Sequence, residues 1–263
     1  MATEGGRQRL GVANGEWPSI DRWINACRQT NERQNRISYR MKNNFQNVSD
    51  KLLTTLTLLL SLLVFAVAPL EANGVLDGSY FGLTFAAILV PATFMLAASR
   101  VAACSIAVSI VLMVVASEME FRQSTIVDIY LDVAAWLIAG ITLIAVVART
   151  VFGPGKVTLH RIMGGVLLYL TIGLTFVALF GLLCLFVPEA FKGIGPMSKN
   201  FGVAGDLIYF SFVTLTTIGY GDIVPLHPYV RGVANFEAVI GQLYPATLLA
   251  RLVTLELASG NGR

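Results

Sequence analysis

Residues 214–222 read Thr-Leu-Thr-Thr-Ile-Gly-Tyr-Gly-Asp, a polar, glycine-spaced string lying between two long apolar segments. Ordinary membrane helices place no such sequence there. Glycine stands at alternate positions, Gly219 and Gly221. Turning several successive carbonyls toward one axis requires backbone angles that alternate in hand, which residues bearing side chains resist and glycine accepts. Ile218 and Tyr220 then face outward. A dehydrated cation inside lipid needs oxygen ligands in place of its lost water, and such a column of carbonyls supplies them. Gly-Tyr-Gly-Asp by itself is also a common turn in soluble proteins, so the composition of the whole chain decides between the two.

Hydrophobic residues make up 55% of the 263 residues and charged residues 13%, and the mean hydropathy is +0.68. That is far too apolar for a soluble domain of this length. The net charge of +3 is small, and its excess lies near the amino terminus, which fits membrane orientation rather than nucleic-acid binding. Cys27, Cys104 and Cys184 have no metal-ligand spacing and read as structural thiols. His160 and His227 stand in expected loops with no Ser, Cys or carboxylate pattern around them, so no enzyme and no cofactor are expected.

The 214–222 string resembles the selectivity filter of potassium channels, in which a threonine run precedes TVGYG or TIGYG and then Asp. Thr217, Ile218, Gly219, Tyr220 and Gly221 match it residue by residue. The resemblance implies K+ held by the backbone carbonyls of Thr217, Ile218, Gly219 and Tyr220, with the Thr217 hydroxyl at the inner mouth and the Tyr220 ring wedged against the surroundings. Thr216 and Asp222 are implied as filter support. One chain supplies one strand, so a homotetramer is implied.

Six apolar stretches are near the ~20 residues needed to cross hydrocarbon: 52–70, 80–98, 101–117, 127–148, 160–187 and 229–254. Residues 206–216 are too short to cross and too apolar for a surface loop, so they read as a re-entrant pore helix. Its carboxyl end would favour a cation below the filter. Residues 188–205, with Pro188, Gly193, Gly195, Pro196 and Gly202, read as an outer turret. The expected fold is an all-α membrane protein of the bacterial six-transmembrane potassium-channel type. Its pore helix and filter fall between the fifth and sixth spans, and it assembles as a tetramer. The expected domains are a cytoplasmic basic segment at 1–50, a four-helix domain at 51–150, a pore domain at 157–256 and a cytoplasmic tail at 257–263. Residues 1–50 lack a leader's apolar core, and no regulatory ring is expected after the pore.

Loop charge sets the expected orientation. The amino-terminal arginines, Arg100, Arg149, Lys156, Arg161 and Arg251 fall on one side, which is read as cytoplasmic. Glu71, Asp77, Glu118, Glu120 and the filter fall on the other, giving a multi-pass protein of the cell membrane with both termini inside. Ile20, Trp23, Ile24 and Cys27 recur at helical spacing beside arginines. This is either a helix on anionic lipid or a solvated arm.

The resemblance covers about residues 160–256; before that it is architectural. The fourth span of voltage-gated relatives carries a basic residue at every third position. Residues 127–148 instead hold Asp128 and Asp132 and no basic residue, so steep voltage dependence has no source there. The resemblance places a gating-hinge glycine at Gly241, and Pro245 follows one turn later, giving either a hinge or a static kink. Gln242 is expected to line the cavity. Some family members carry a buttressing carboxylate where this chain has Val213, and Glu237 is expected to substitute for it. Helical spacing puts Glu237, Gly241 and Pro245 on one face. The outer carboxylates Glu118, Glu120, Asp128 and Asp132 read as a proton or divalent-ion sensor or as a solvated acidic loop. A weakly selective cation channel, or a transport or sensor subunit with a structural filter-like loop, stands as the alternative function.

Overall fold

The structure, a computed structural model, describes residues 25, 28–34, 36, 51–72, 84–85, 87–89, 100–122, 126–153, 159–194 and 202–260. The chain divides into two units, Met1–Ser49 and Asp50–Arg263. In the first, residues 28–34 are helical. Arg36 reaches back one turn to Glu32 at 3.5 Å, an exposed pair of the kind that adds at most ~1 kcal/mol. Ile20, Trp23, Ile24 and Cys27 lie outside the described residues, as do Asp77, Lys156, Gly195, Pro196 and most of the 80–98 stretch.

The second unit is built of apolar helices. Helix α1 covers Lys51–Leu70, contains one wide π turn at Leu63–Val67 and stays helical to Ala72. Helix α2 is Arg100–Arg122 and α3 is Ile126–Phe152. Asp128 lies in the first turn of α3 and Arg149 in its last, the signs that the helix dipole favours at each end. Helix α4 is Leu159–Phe186, α5 is Gly202–Leu215, and α6 is Pro228–Gly260, opening on a proline whose missing N–H costs nothing in a first turn. Strands β1 (Phe191–Lys192) and β2 (Val224–Pro225) pair antiparallel.

Helix α4 lies at the centre of the unit, in contact with α3, α5 and α6. Gly140 of α3 meets Thr175 of α4, and Gly165 of α4 meets Leu248 of α6 so closely that a Cβ on either would overlap its neighbour. Phe85 stacks on Trp136 of α3 with ring centroids 3.9 Å apart. In apolar surroundings a hydroxyl must find a partner. Thr57, Ser109, Ser117, Thr142, Thr171 and Thr175 each donate to the carbonyl four residues earlier. The carboxyl end of α3 is closed by α4: buried Arg161 donates from Nε to the Val151 carbonyl at 2.9 Å and from its terminal nitrogen to the Gly153 carbonyl.

Six crossings around a closed pore are not what the described residues show. Four helices are long and apolar enough to cross a membrane: Lys51–Leu70, Val101–Met119, Val127–Phe152 and Leu159–Phe186. The 80–98 stretch contributes no described span. The 229–254 stretch lies within α6, whose 33 residues extend about 50 Å. It is not among the four, which are counted over the described residues alone. Nor do the described helices of one chain close around a channel, for residues 216–222 stand exposed. The six-span architecture is therefore corrected to four apolar spans among the described residues, with α5, 14 residues or about 21 Å long, too short to cross.

Arg161→Met would leave two carbonyls at the end of α3 without their donor. The expected loss is about 1–3 kcal/mol of stability, read as a lower melting temperature of the purified protein in detergent.

Candidate functional site

The 216–222 segment begins where α5 stops. The Thr216 N–H donates to Phe212 O at 3.0 Å, the Thr217 N–H to Thr214 O at 2.9 Å and the Ile218 N–H to Val213 O at 2.9 Å. The last two bonds wrap the chain back over the helix end, a closure that needs one left-handed residue between them. Glycine usually fills that place. Here it is Thr217, at φ +58°, a conformation that a β-branched residue adopts rarely and at a cost of order 1–3 kcal/mol. Gly219 and Gly221 follow at φ +60° and +83°, while Ile218 and Tyr220 keep negative φ. The backbone thus alternates in hand over five successive residues. No neighbour crowds either glycine, so their torsion rather than close packing requires them. Among the described residues no donor is bonded to the carbonyls of Thr216–Gly221. Ile218 is 54% and Tyr220 69% exposed. The Thr216 hydroxyl turns back to Phe212 O at 2.6 Å.

Two sets of contacts hold the outer end of the segment. The Tyr209 hydroxyl on α5 donates to Asp222 Oδ2 at 2.8 Å, and its ring stacks on Tyr220 with 3° between planes. That hydroxyl holds the Asp222 carboxyl below its ordinary range, and the carboxylate in turn pushes the Tyr209 phenol up. Beyond Asp222, β2 pairs with β1, Phe191 opposite Pro225 and Lys192 opposite Val224. Gly193 lies at φ +97°, with its Cβ position 2.4 Å from the Asp222 carbonyl oxygen. Any side chain there would strike the strand it clamps. Arg231 Nε donates to Pro225 O at 3.0 Å, fixing the turn into α6.

The inner end is held by α4 and α6. The Leu215 carbonyl, at the last residue of α5, accepts from the Tyr169 hydroxyl of α4 at 3.2 Å. On its other side it meets Gly241 of α6, where a Cβ would lie 1.8 Å from the same oxygen. One turn away, Ser211 Oγ stands 2.9 Å from Gly173 O of α4 and 2.5 Å from Glu237 Oε1 of α6. Helices α4, α5 and α6 therefore meet in two layers, Gly173–Ser211–Glu237 and Tyr169–Leu215–Gly241, with four residues between layers on every helix. Tyr244 continues the buried face of α6 by donating to Gly165 O at 2.7 Å.

The structure brings Thr216–Gly221 and Asp222 together in one exposed segment and puts Glu237 and Gly241 behind it. Gln242 and Pro245 are both exposed, so Pro245 does not share the buried face of Glu237 and Gly241. Helix α6 runs unbroken through Pro245. Tyr169, Tyr209, Ser211 and Gly193 were not singled out as site residues from the sequence. Tyr209 carried a usable signal, being a phenol on the helix leading into the string with an aspartate at the string's end. The partner of Tyr169 lies 46 residues further along and that of Gly193 is the equally non-local Asp222, and nothing local marks them.

Residues 165–256 match a family model described as Ion channel. The match takes in most of α4, with α5, the 216–222 segment and most of α6, and it leaves the larger part of the chain uncovered. It is to ion channels in general, so the narrower identification with six-span potassium channels is not supported. No curated protein and no solved structure matches the chain. The chain is thus a multi-pass membrane protein with an ion-channel-like segment, and the family matched is one of non-catalytic transport proteins.

Gly241→Ala would force the α5 end and α6 apart, with an expected loss of about 1–3 kcal/mol in detergent melting. Gly232→Ala on the same helix meets open space and should be neutral or stabilising by up to ~1 kcal/mol. Because the Asp222 carboxyl is lowered in the folded protein, the stability it contributes is present at neutral pH and lost as pH falls through its folded value. Tyr209→Phe should move that loss to higher pH, followed by carbonyl NMR of labelled aspartate. An unmoved Asp222 titration would remove the Tyr209 contact from the account.

Proposed function

We propose that the chain is one subunit of a potassium-selective channel that conducts K+ passively across the cell membrane. The observation that carries this reading is the backbone of Thr217–Gly221, alternating in hand at Thr217, Gly219 and Gly221, whose carbonyls have no bonded donor among the described residues and whose side chains at Ile218 and Tyr220 stand exposed. Main-chain oxygens of Thr217, Ile218, Gly219 and Tyr220 act as the ligands that replace water around the ion, with Gly221 closing the column. Thr216 and Asp222 support it, Asp222 through Tyr209. Gln242, exposed on α6, lines the aqueous cavity, and Gly241 with Pro245 is where the lower half of α6 bends.

A single column of oxygens coordinates an ion from one side, so the reading requires four copies around a shared axis, a homotetramer with closed symmetry. The exposure of Ile218 and Tyr220 in the segment and of Phe236, Val239 and Leu243 on α6 supports it: exposed apolar groups of this kind are what a neighbouring copy would cover. Both termini lie in the cytoplasm, and the basic amino-terminal segment meets anionic lipid. Helix α3 carries Asp128, Asp132 and a single terminal Arg149, so opening is not steeply voltage-dependent.

The test is the reversal potential of purified protein in planar bilayers with opposed K+ and Na+ gradients. Current reversing near the K+ equilibrium potential is expected, with selectivity lost in Gly219→Ala and Tyr220→Val. A reversal potential midway between the two ions in the unaltered protein would instead favour a weakly selective cation pore. Absence of current would favour a subunit whose loop is structural.

A further inference from the structure

Glu237 is a carboxyl group with 0% of its surface exposed, in contact with Ser211, which is also 0% exposed. Ser211 Oγ stands within hydrogen-bond distance of two oxygens at once, Gly173 O at 2.9 Å and Glu237 Oε1 at 2.5 Å. A serine hydroxyl has one hydrogen, and both a carbonyl and an ionised carboxylate can only accept. The two bonds coexist when the hydrogen of Ser211 goes to Gly173 O and a second hydrogen, carried by Glu237, goes to Ser211 Oγ. The 2.5 Å separation lies at the short end of the range for an O–H···O bond. The remaining oxygen, Glu237 Oε2, is buried without a partner among the described residues. An orphaned carbonyl oxygen of a neutral acid is tolerable there, whereas half of a buried anion is far costlier. Among the described residues no ion pair reaches Glu237.

Besides Glu237 itself, the titratable and charged groups on the packed elements are His160, Arg161, Tyr169 and Cys184 on α4, Asp206 and Tyr209 on α5, and Tyr229, Arg231, Tyr244, Arg251 and Glu256 on α6. Tyr169 is within electrostatic reach of Glu237, and its hydroxyl is already given to Leu215 O. Tyr209 is given to Asp222, Tyr244 to Gly165 O, Arg231 to Pro225 O and Arg161 to the end of α3. None of these supplies Glu237 with a counter-charge.

We propose that Glu237 is a positioning residue that works as a neutral acid: it donates to Ser211 Oγ, Ser211 donates to Gly173 O, and this proton relay across α6, α5 and α4 holds the filter-bearing helix in place until alkali removes the proton. The relay lies one turn before the Leu215–Gly241 contact from which the 216–222 segment departs, so a slip at Ser211 is passed directly to Thr217. The functional consequence rests on the reading of that segment as a potassium filter. The protonation and the relay do not.

The test compares full-length protein, unaltered and as Glu237→Gln, Glu237→Ala and Ser211→Ala, reconstituted in bilayers under K+ gradients from neutral to alkaline pH. Glutamine keeps a donor toward Ser211 and cannot ionise, so Glu237→Gln should retain neutral-pH conductance and lose the alkaline decline. The unaltered protein should fall about tenfold as pH rises. Glu237→Ala and Ser211→Ala should already be about tenfold lower at neutral pH, the size expected for one lost buried hydrogen bond. Infrared difference spectra at neutral pH should show a protonated carboxyl band that Glu237→Gln removes, a readout that needs no conduction and separates failure of the relay from failure of the channel reading. A missing band, a flat alkaline profile in the unaltered protein, or a glutamine variant as impaired as the alanine one would overturn the proposal.

Discussion

The carboxyl end of α5 is held at Leu215, whose carbonyl oxygen accepts from the Tyr169 hydroxyl of α4 and lies where a side chain on Gly241 of α6 would stand. Everything that follows in the chain starts from that fixed oxygen. Two residues later Thr217 takes a left-handed conformation that its branched side chain disfavours, and it persists because the helix end, wrapped by the Thr217 and Ile218 N–H groups, leaves no other path. Gly219 and Gly221 then repeat the same hand without strain. The alternation is imposed by packing at its inner end and permitted by composition along its length.

The outer end is fixed by different chemistry. Tyr209, on the same helix that launches the segment, holds the aspartate that ends it, and the β1–β2 pair with Gly193 clamps the chain just beyond. The segment is therefore anchored at both ends, its middle carbonyls unbonded among the described residues and its side chains exposed. Such a loop is rigid without being covered, the condition for a site that binds by its main chain.

Much of the site was legible because its information is local. Gly219 and Gly221 at alternate positions announce positive φ, and both have it. The apolar stretches at 52–70, 101–117, 127–148 and 160–187 announce helices, and helices of the four-span set cover them, the last but for Val187. Thr217 announced nothing, since its conformation comes from the helix end and not from its own preferences. Counting six crossings from apolar stretches treated α6 as one more span, and α6, which carries Asn235, Glu237 and Gln242, is not among the four found in the described residues. These polar groups split by face. Glu237 and Gly241 are buried against α4 and α5, while Gln242 is exposed, a division that period alone suggests but that packing decides. Gly241 also shows why a residue's role is hard to read from its type. A helix glycine can be a hinge or a place for another backbone, and a Cβ at Gly241 would lie 1.8 Å from Leu215 O, which makes it the second, whatever else it does.

The central claim is that the carbonyls of Thr217–Tyr220 are the ligands of a dehydrated cation. It is tested most directly by growing crystals of the assembled protein in thallium or rubidium and locating the ions by anomalous scattering. The account predicts a file of peaks on a symmetry axis, each caged by main-chain oxygens from these four residues. Peaks elsewhere, or 217–220 carbonyls turned away from any axis in an ion-loaded crystal, would contradict it.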